Sequence, residues 1–151
     1  VSALLRQMSE EISLLQVFVE LLEREAEALA SHRFELLPQL TPRKAKAAER
    51  LAACDAEREQ LLTALGYPAN RAGAEAVAAA GGPLLQQAWT RLVDLAERAR
   101  DLNHRNGVTV HAHLDFTRQS IAFLQTGSRP LYGPDGQHRA GRGQGIRYAA
   151  G

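Results

Sequence analysis

Three observations predict an all-α fold. Apolar residues recur every three or four positions over most of the chain and never alternate for long. Ala and Leu dominate an apolar content of 45%, while aromatics make up only 5%, a composition that favours helix and close helix–helix packing. Gly and Pro gather at a few points and leave three long stretches between them. The expected architecture is an elongated antiparallel bundle of three long helices, about 3–31, 42–65 and 84–125, followed by a flexible tail over 126–151. A length of 151 residues suits one domain.

The first helix, about Ala3 to Ser31, contains no Gly and no Pro. Its apolar residues fall at Val1, Leu5, Met8, Ile12, Leu15, Val19, Leu22, Ala26 and Leu29, an unbroken alternation of four- and three-residue steps. Leu4, Leu14, Phe18 and Leu21 widen the stripe, so the helix is expected to touch two neighbours. Glu10, Glu20, Glu23, Arg24 and Glu27 form the solvated face.

Ser31-His32-Arg33 reads as a break, and Phe34, Leu36, Leu37 and Leu40 form an apolar cluster punctuated by Pro38. Thr41-Pro42 has the form of a helix start, Thr as N-cap and Pro at the first helical position. The second helix should then run to Leu65, with Gly66 stopping it and Pro68 blocking its continuation. Ala47, Leu51, Cys54, Leu61 and Leu65 mark its inner face; Arg58 shares that face and needs either a rim position or a carboxylate partner. Tyr67 to Pro83 reads as a connector, with a turn at Asn70–Gly73 and one or two helical turns between Ala74 and Ala80.

The third helix begins at Pro83 or Leu84 and is the longest, about 42 residues or roughly 60 Å. Its seam starts as Ala88, Leu92, Leu95, Ala99 and Leu102. Continued, that seam becomes half polar: Asn106, Thr109, His113, Phe116, Ser120 and Phe123. A second stripe takes over at Val110, Leu114, Ile121 and Leu124, and Gly107 sits at the shift, where a small residue allows another helix to approach closely or, alternatively, the helix to kink. Because the partner helices are shorter, about a dozen residues, or ~18 Å, should project past at least one of them. An up-down-up path is expected to set this C-terminal half beside the start of the first helix and the end of the second. The projecting part would leave Val110, Leu114, Phe116, Ile121, Phe123 and Leu124 as an apolar surface for a protein partner.

From Thr126 the composition changes: seven Gly and two Pro in the last 26 residues cannot support a core. Arg129, Arg139, Arg142 and Arg147 against Asp135 give this tail +3, so with a total of +1 the body carries −2. Leu131-Tyr132 is an apolar pair beside a Pro-Asp-Gly turn signal.

The totals exclude several function classes. Near-balanced charge argues against a dedicated nucleic-acid binder, and one Arg-Gly tract (Gly141–Gly145) does not change that. One cysteine, Cys54, fits a reducing compartment. No apolar run is long enough for a membrane span, and the first residues have no secretory signal, so the cytoplasm is the expected location. His104, His111 and His113 do not have metal-ligand spacing, and Cys54 has no neighbour that marks a nucleophile. Neither an enzyme nor a cofactor is expected.

Three segments resemble the FlgN family of flagellar type III export chaperones. They are Arg58-Glu59-Gln60-Leu61-Leu62 ahead of Leu65-Gly66, Leu102-Asn103-His104-Arg105-Asn106-Gly107 in mid-helix, and Leu131-Tyr132-Gly133-Pro134-Asp135-Gly136-Gln137 after the last helix. The Pro38 and Pro42 breaks depart from that family's pattern. The resemblance implies a cytoplasmic helical protein that binds hook-associated proteins (those of the hook–filament junction). It would keep them from assembling prematurely and deliver them to the export gate. It also implies that the C-terminal amphipathic region receives the cargo and that Tyr132, with Leu131, docks at the gate. The alternative is a structural coiled-coil adaptor that homodimerises through the same apolar stripe.

Overall fold

The computed structural model describes residues 1–126. Among them the chain forms α1 (Ser2–Ala30), a single 3-10 turn (Phe34–Leu36), α2 (Leu37–Ala64), α3 (Arg71–Ala80) and α4 (Pro83–Thr126), and no strand. The all-α bundle is as expected, with a fourth, short helix added.

α1 is the helix that the other two long ones share. It packs against α2 on one side and α4 on another, which is why its apolar stripe is wide. Leu4, Met8 and Leu22 are fully buried, and Leu15, Phe18, Val19 and Leu21 are nearly so. Each such side chain contributes roughly 2 kcal/mol of burial. Val1, the first residue of the predicted stripe, is exposed. The helix ends in a Schellman arrangement: Arg33 N–H donates to the Ala28 carbonyl at 2.8 Å and His32 N–H to Leu29 at 3.3 Å. His32 takes the left-handed seat, φ 56°, usually filled by Gly.

α2 starts earlier than Thr41-Pro42 suggested. It begins at Leu37, with Pro38 in the first turn, where its missing N–H costs nothing. Thr41 is no N-cap: its hydroxyl donates to the Leu37 carbonyl one turn back, at 3.0 Å. Pro42 therefore lies inside the helix. The turn at Phe34–Leu36 had already set the helical path, so the backbone continues through Pro42 at the loss of one donor. At the far end Gly66 adopts φ 85°, and Gly66 and Tyr67 N–H groups close onto Thr63 and Leu62 carbonyls at 3.0 and 2.9 Å. Leu62, at the base of that cap, is buried, whereas Leu65 is exposed.

α3 is longer than the connector suggested. Asn70 is its N-cap, its side-chain oxygen accepting from Gly73 N–H at 2.9 Å. Gly73 is required there: a β-carbon would run into the Pro68 carbonyl. The helix buries Ala74, Val77 and Ala78 on α4, and this small-residue face lets the two backbones lie close.

α2 runs antiparallel to α1: Glu11 meets Arg58 and Glu25 meets Lys44. α4 runs parallel to α1: Leu15 and Ala99 border one groove, while Leu22 is reached by Asn106 and the Phe34 corner by His113. The C-terminal half of α4 therefore leaves the bundle beside the end of α1 and the start of α2. The expected placement beside the start of α1 is reversed, because an up-down-up path makes the first and third long helices parallel.

Candidate functional site

The buried face of α4 is Leu85, Trp89, Leu92, Leu95, Ala99, Asn103 and Asn106. Sequence reading anticipated Leu92, Leu95 and Ala99 but placed the seam on Ala88 and Leu102 where Trp89 and Asn103 are buried. The shift is one helical position, inside the width of a stripe that α1 and α3 share. Beyond Asn106 the spacing continues through Val110, Leu114, Ile121 and Leu124. What changes is the cover.

The register shows where the cover ends. Asn106 stands level with Leu22, so Ala30, the last residue of α1, comes level with about residue 114. Roughly a dozen residues of α4, ~18 Å, then continue past it. His113 ties α4 to the corner ahead of α2: its ring stacks on Phe34 with centroids 4.1 Å apart and planes 22° apart. Val110 is half-buried. Leu114, Phe116, Ile121, Phe123 and Leu124 are exposed, from 40% at Leu114 to 79% at Leu124. Leu114, Ile121 and Leu124 lie on one face; Phe116 and Phe123 flank it, with Val108 exposed one turn earlier. Gly107 lies within uninterrupted helix at the head of this segment.

Two polar layers fix the end of α4 that stays in the bundle. In the upper layer Asn106 Nδ2 donates to the Leu22 carbonyl at 2.9 Å and to Glu25 Oε1 at 3.0 Å, while Lys44 Nζ holds both Glu25 oxygens at 2.9 Å. In the lower layer Arg58 donates to Glu11 at 2.5 and 2.6 Å and also meets Asp55, and its guanidinium lies 5.7 Å from the centre of the Trp89 ring. Gln7 donates to Glu11 at 3.2 Å and to the Cys54 carbonyl at 2.7 Å. Burial alone would lower the Arg58 pKa; the hydrogen bond and charge of Glu11, with those of Asp55, outweigh it and hold the group above its ordinary value. The carboxylate partner that Arg58 called for is thus present. Glu11 and Glu25 escaped notice in the sequence, although both occupy the three-four spacing of the core stripe, where a carboxylate demands a cation opposite.

The remaining candidates do not converge. His104 is exposed, His111 Nε2 lies 3.5 Å from Asp115, and His113 is on Phe34. Cys54 is half-buried; burial, then Glu11, Glu57 and Glu10, push its thiol up, against Arg50. Leu131 and Tyr132 lie outside the described residues, as does the tail from residue 127.

Comparison with known proteins gives consistent matches. The family model described as FlgN protein matches residues 1–140. A flagella synthesis protein FlgN from Yersinia enterocolitica is 28% identical over 139 residues, 90% of this chain and 89% of that protein. One from Proteus mirabilis is 41% identical over 58 residues, which span 38% of this chain and only 40% of the Proteus protein. A crystal structure from Pseudomonas aeruginosa, described as a candidate flagella synthesis protein FlgN, superposes with a TM-score of 0.65 at 27% identity. It covers 73% of this chain and 88% of that one.

Proposed function

The chain belongs to the FlgN family, and from that premise we propose that it is a cytoplasmic export chaperone for the hook-associated proteins of the flagellum. It binds these proteins before export, keeps their helical ends from assembling, and brings them to the type III export gate. The observation that carries this reading is the exposed apolar row Leu114, Phe116, Ile121, Phe123 and Leu124 on the part of α4 beyond Ala30.

The mechanism is helix packing without a covalent step, a cofactor or nucleic acid. A client's apolar helical stripe, which would otherwise polymerise, lies along Val110, Leu114, Ile121 and Leu124, with Phe116 and Phe123 at the edges. Both surfaces lose water, and the rigid bundle below Asn106 bears no share of the ordering cost. Among the described residues no helix is long and apolar enough to cross a membrane, and work in the cytoplasm suits the single free thiol. Tyr132, with Leu131, supplies an aromatic anchor for the export gate, its hydroxyl available for a hydrogen bond.

Co-purification from flagellated cells tests the reading. The full chain should retain hook-associated proteins, and a variant disrupted on the α4 face should not. Tyr132→Ala should keep the client and slow its delivery; unchanged export would remove Tyr132 from the mechanism. The second reading, a homodimer through the same row, is separated by light scattering of the free protein: a stable dimer with the row covered favours it.

A further inference from the structure

At the end of the bundle from which α4 emerges, α1 and α2 enclose a groove of about 430 Å³. Its floor is apolar, the buried Ala28 and Leu40, with the exposed Leu36 at the lip. Its rim carries Arg24 from α1, Arg33 from the corner and Arg43 from α2, with Glu27 the one carboxylate. The ion pairs found among the described residues include none of these three guanidinium groups, although Arg98, Arg58, Arg71 and Lys44 all take acidic partners. Lys44, beside Arg43 in sequence, is committed to Glu25. Three uncommitted cations thus gather around one apolar floor in a body whose net charge is −2.

We propose that this groove is a docking site for an acidic protein segment, one in which an apolar residue that fills the floor is flanked by Asp or Glu. Charge complementarity selects the occupant. The chain's own tail carries +3 and would be repelled. A phosphate-rich polymer would meet Glu27 at the rim and gain nothing from Ala28, Leu40 and Leu36, whereas a peptide uses both parts of the site. The inference rests on the chaperone reading in one respect. The Phe34–His113 stack puts the groove's corner at the level where the α4 row begins, so a client helix on α4 can present its acidic segment here.

The probes are two synthetic amphipathic helical peptides with one leucine-bearing face, one carrying Glu flanks and the other Gln in their place. Titrated against the full chain at low ionic strength, the Glu peptide should bind about tenfold tighter, the order that three partly exposed ion pairs supply. The advantage should shrink as salt rises toward about 0.5 M, where the Debye length falls to roughly 4 Å and exposed charges are screened. R24Q/R33Q/R43Q, at exposed positions, should abolish that advantage and leave the Gln peptide's binding unchanged. Equal preference for the Glu peptide in the triple variant overturns the inference and leaves the chaperone reading intact. The chaperone reading fails separately: retention of hook-associated protein by Leu114→Asp/Ile121→Asp would overturn it, while that variant, whose groove is intact, should still prefer the Glu peptide. Displacement of the Glu peptide by inorganic phosphate at millimolar concentration would overturn the assignment to a protein segment.

Discussion

Asn106 of α4 donates its side-chain N–H to the Leu22 carbonyl of α1, 2.9 Å away. The same amide serves Glu25, so one residue ties α4 both to the α1 backbone and to the Glu25–Lys44 pair. A polar layer of this kind selects one register, since sliding either helix by a turn strands a buried amide and a carboxylate. The register in turn sets how much of α4 extends beyond Ala30.

Asn106→Ala should therefore destabilise the protein by about 1–3 kcal/mol, because Glu25 loses a buried donor while Lys44 remains. Urea unfolding followed by circular dichroism measures this. A loss below about 0.5 kcal/mol would show that the layer is not under tension to hold register.

The Glu11–Arg58 pair makes a sharper test. Glu11→Leu leaves a guanidinium largely shielded from water with only Asp55 to meet, at a cost of about 3–5 kcal/mol. Glu11→Leu combined with Arg58→Met removes both charges and should recover most of that loss, Met packing against Trp89 where the guanidinium lay. Chemical denaturation of the two single variants and the double one gives the coupling; additive losses would contradict it.

These layers also show what was legible in the sequence. Periodicity identified the three long helices and the exposed face of α4, because it registers apolar spacing directly. Gly66 stopped α2 as expected, since its left-handed φ costs a residue without a side chain nothing. Glu11, Glu25 and Asn103 were hidden by their polarity, for a pattern of apolar residues has no symbol for a carboxylate satisfied by a helix distant in sequence. The Thr41-Pro42 start was a local signal overridden by the Phe34–Leu36 turn, which had already set the helical path. The expected start of α3 fell late, at Ala74, because its cap and first turn, Asn70 to Gly73, use turn-forming residues. That α4 outreaches α1 followed from lengths alone, and the end at which it does so follows from the up-down-up path, which sets α1 and α4 parallel and the overhang beside Phe34.

The glycines at the two ends of the α2–α3 loop should respond differently to the same change. Gly66 has open space around a β-carbon and φ 85°, so Gly66→Ala should cost only the backbone strain, about 1–2 kcal/mol. Gly73→Ala drives a methyl into the Pro68 carbonyl, and the first turn of α3 must move off the loop. We expect the larger loss at Gly73, with faster proteolysis at residues 67–73 under native conditions. Equal losses would mean that the α3 turn is free to adjust.

The thiol of Cys54 gives a pH-dependent prediction. Burial, then Glu11, Glu57 and Glu10, raise its pKa above the ordinary thiol value, against Arg50. The unfolded chain thus loses the proton first as pH rises, and folding stability falls from about pH 9 upward. At pH 8 iodoacetamide should label the native protein more slowly than the urea-unfolded chain, because the reactive thiolate is scarcer in the fold. Faster labelling of the native protein would contradict the shift.

The exposed α4 row makes the last prediction, and its force lies in a contrast between two positions on one bundle. Leu114→Asp with Ile121→Asp places charges where side chains already face water, so the free protein should keep its helical signal and change in stability by no more than about 0.5 kcal/mol. Leu22→Asp, by comparison, puts a carboxylate at a site with no exposure and should unfold the bundle. If the row receives a client helix, the α4 double variant should lose hook-associated protein from co-purification while eluting at the wild-type size. Retention of the client by this folded variant would place the binding surface elsewhere. Loss of helical signal in the α4 variant would show that the row was packed after all, and the case for an open receiving face would fall with it.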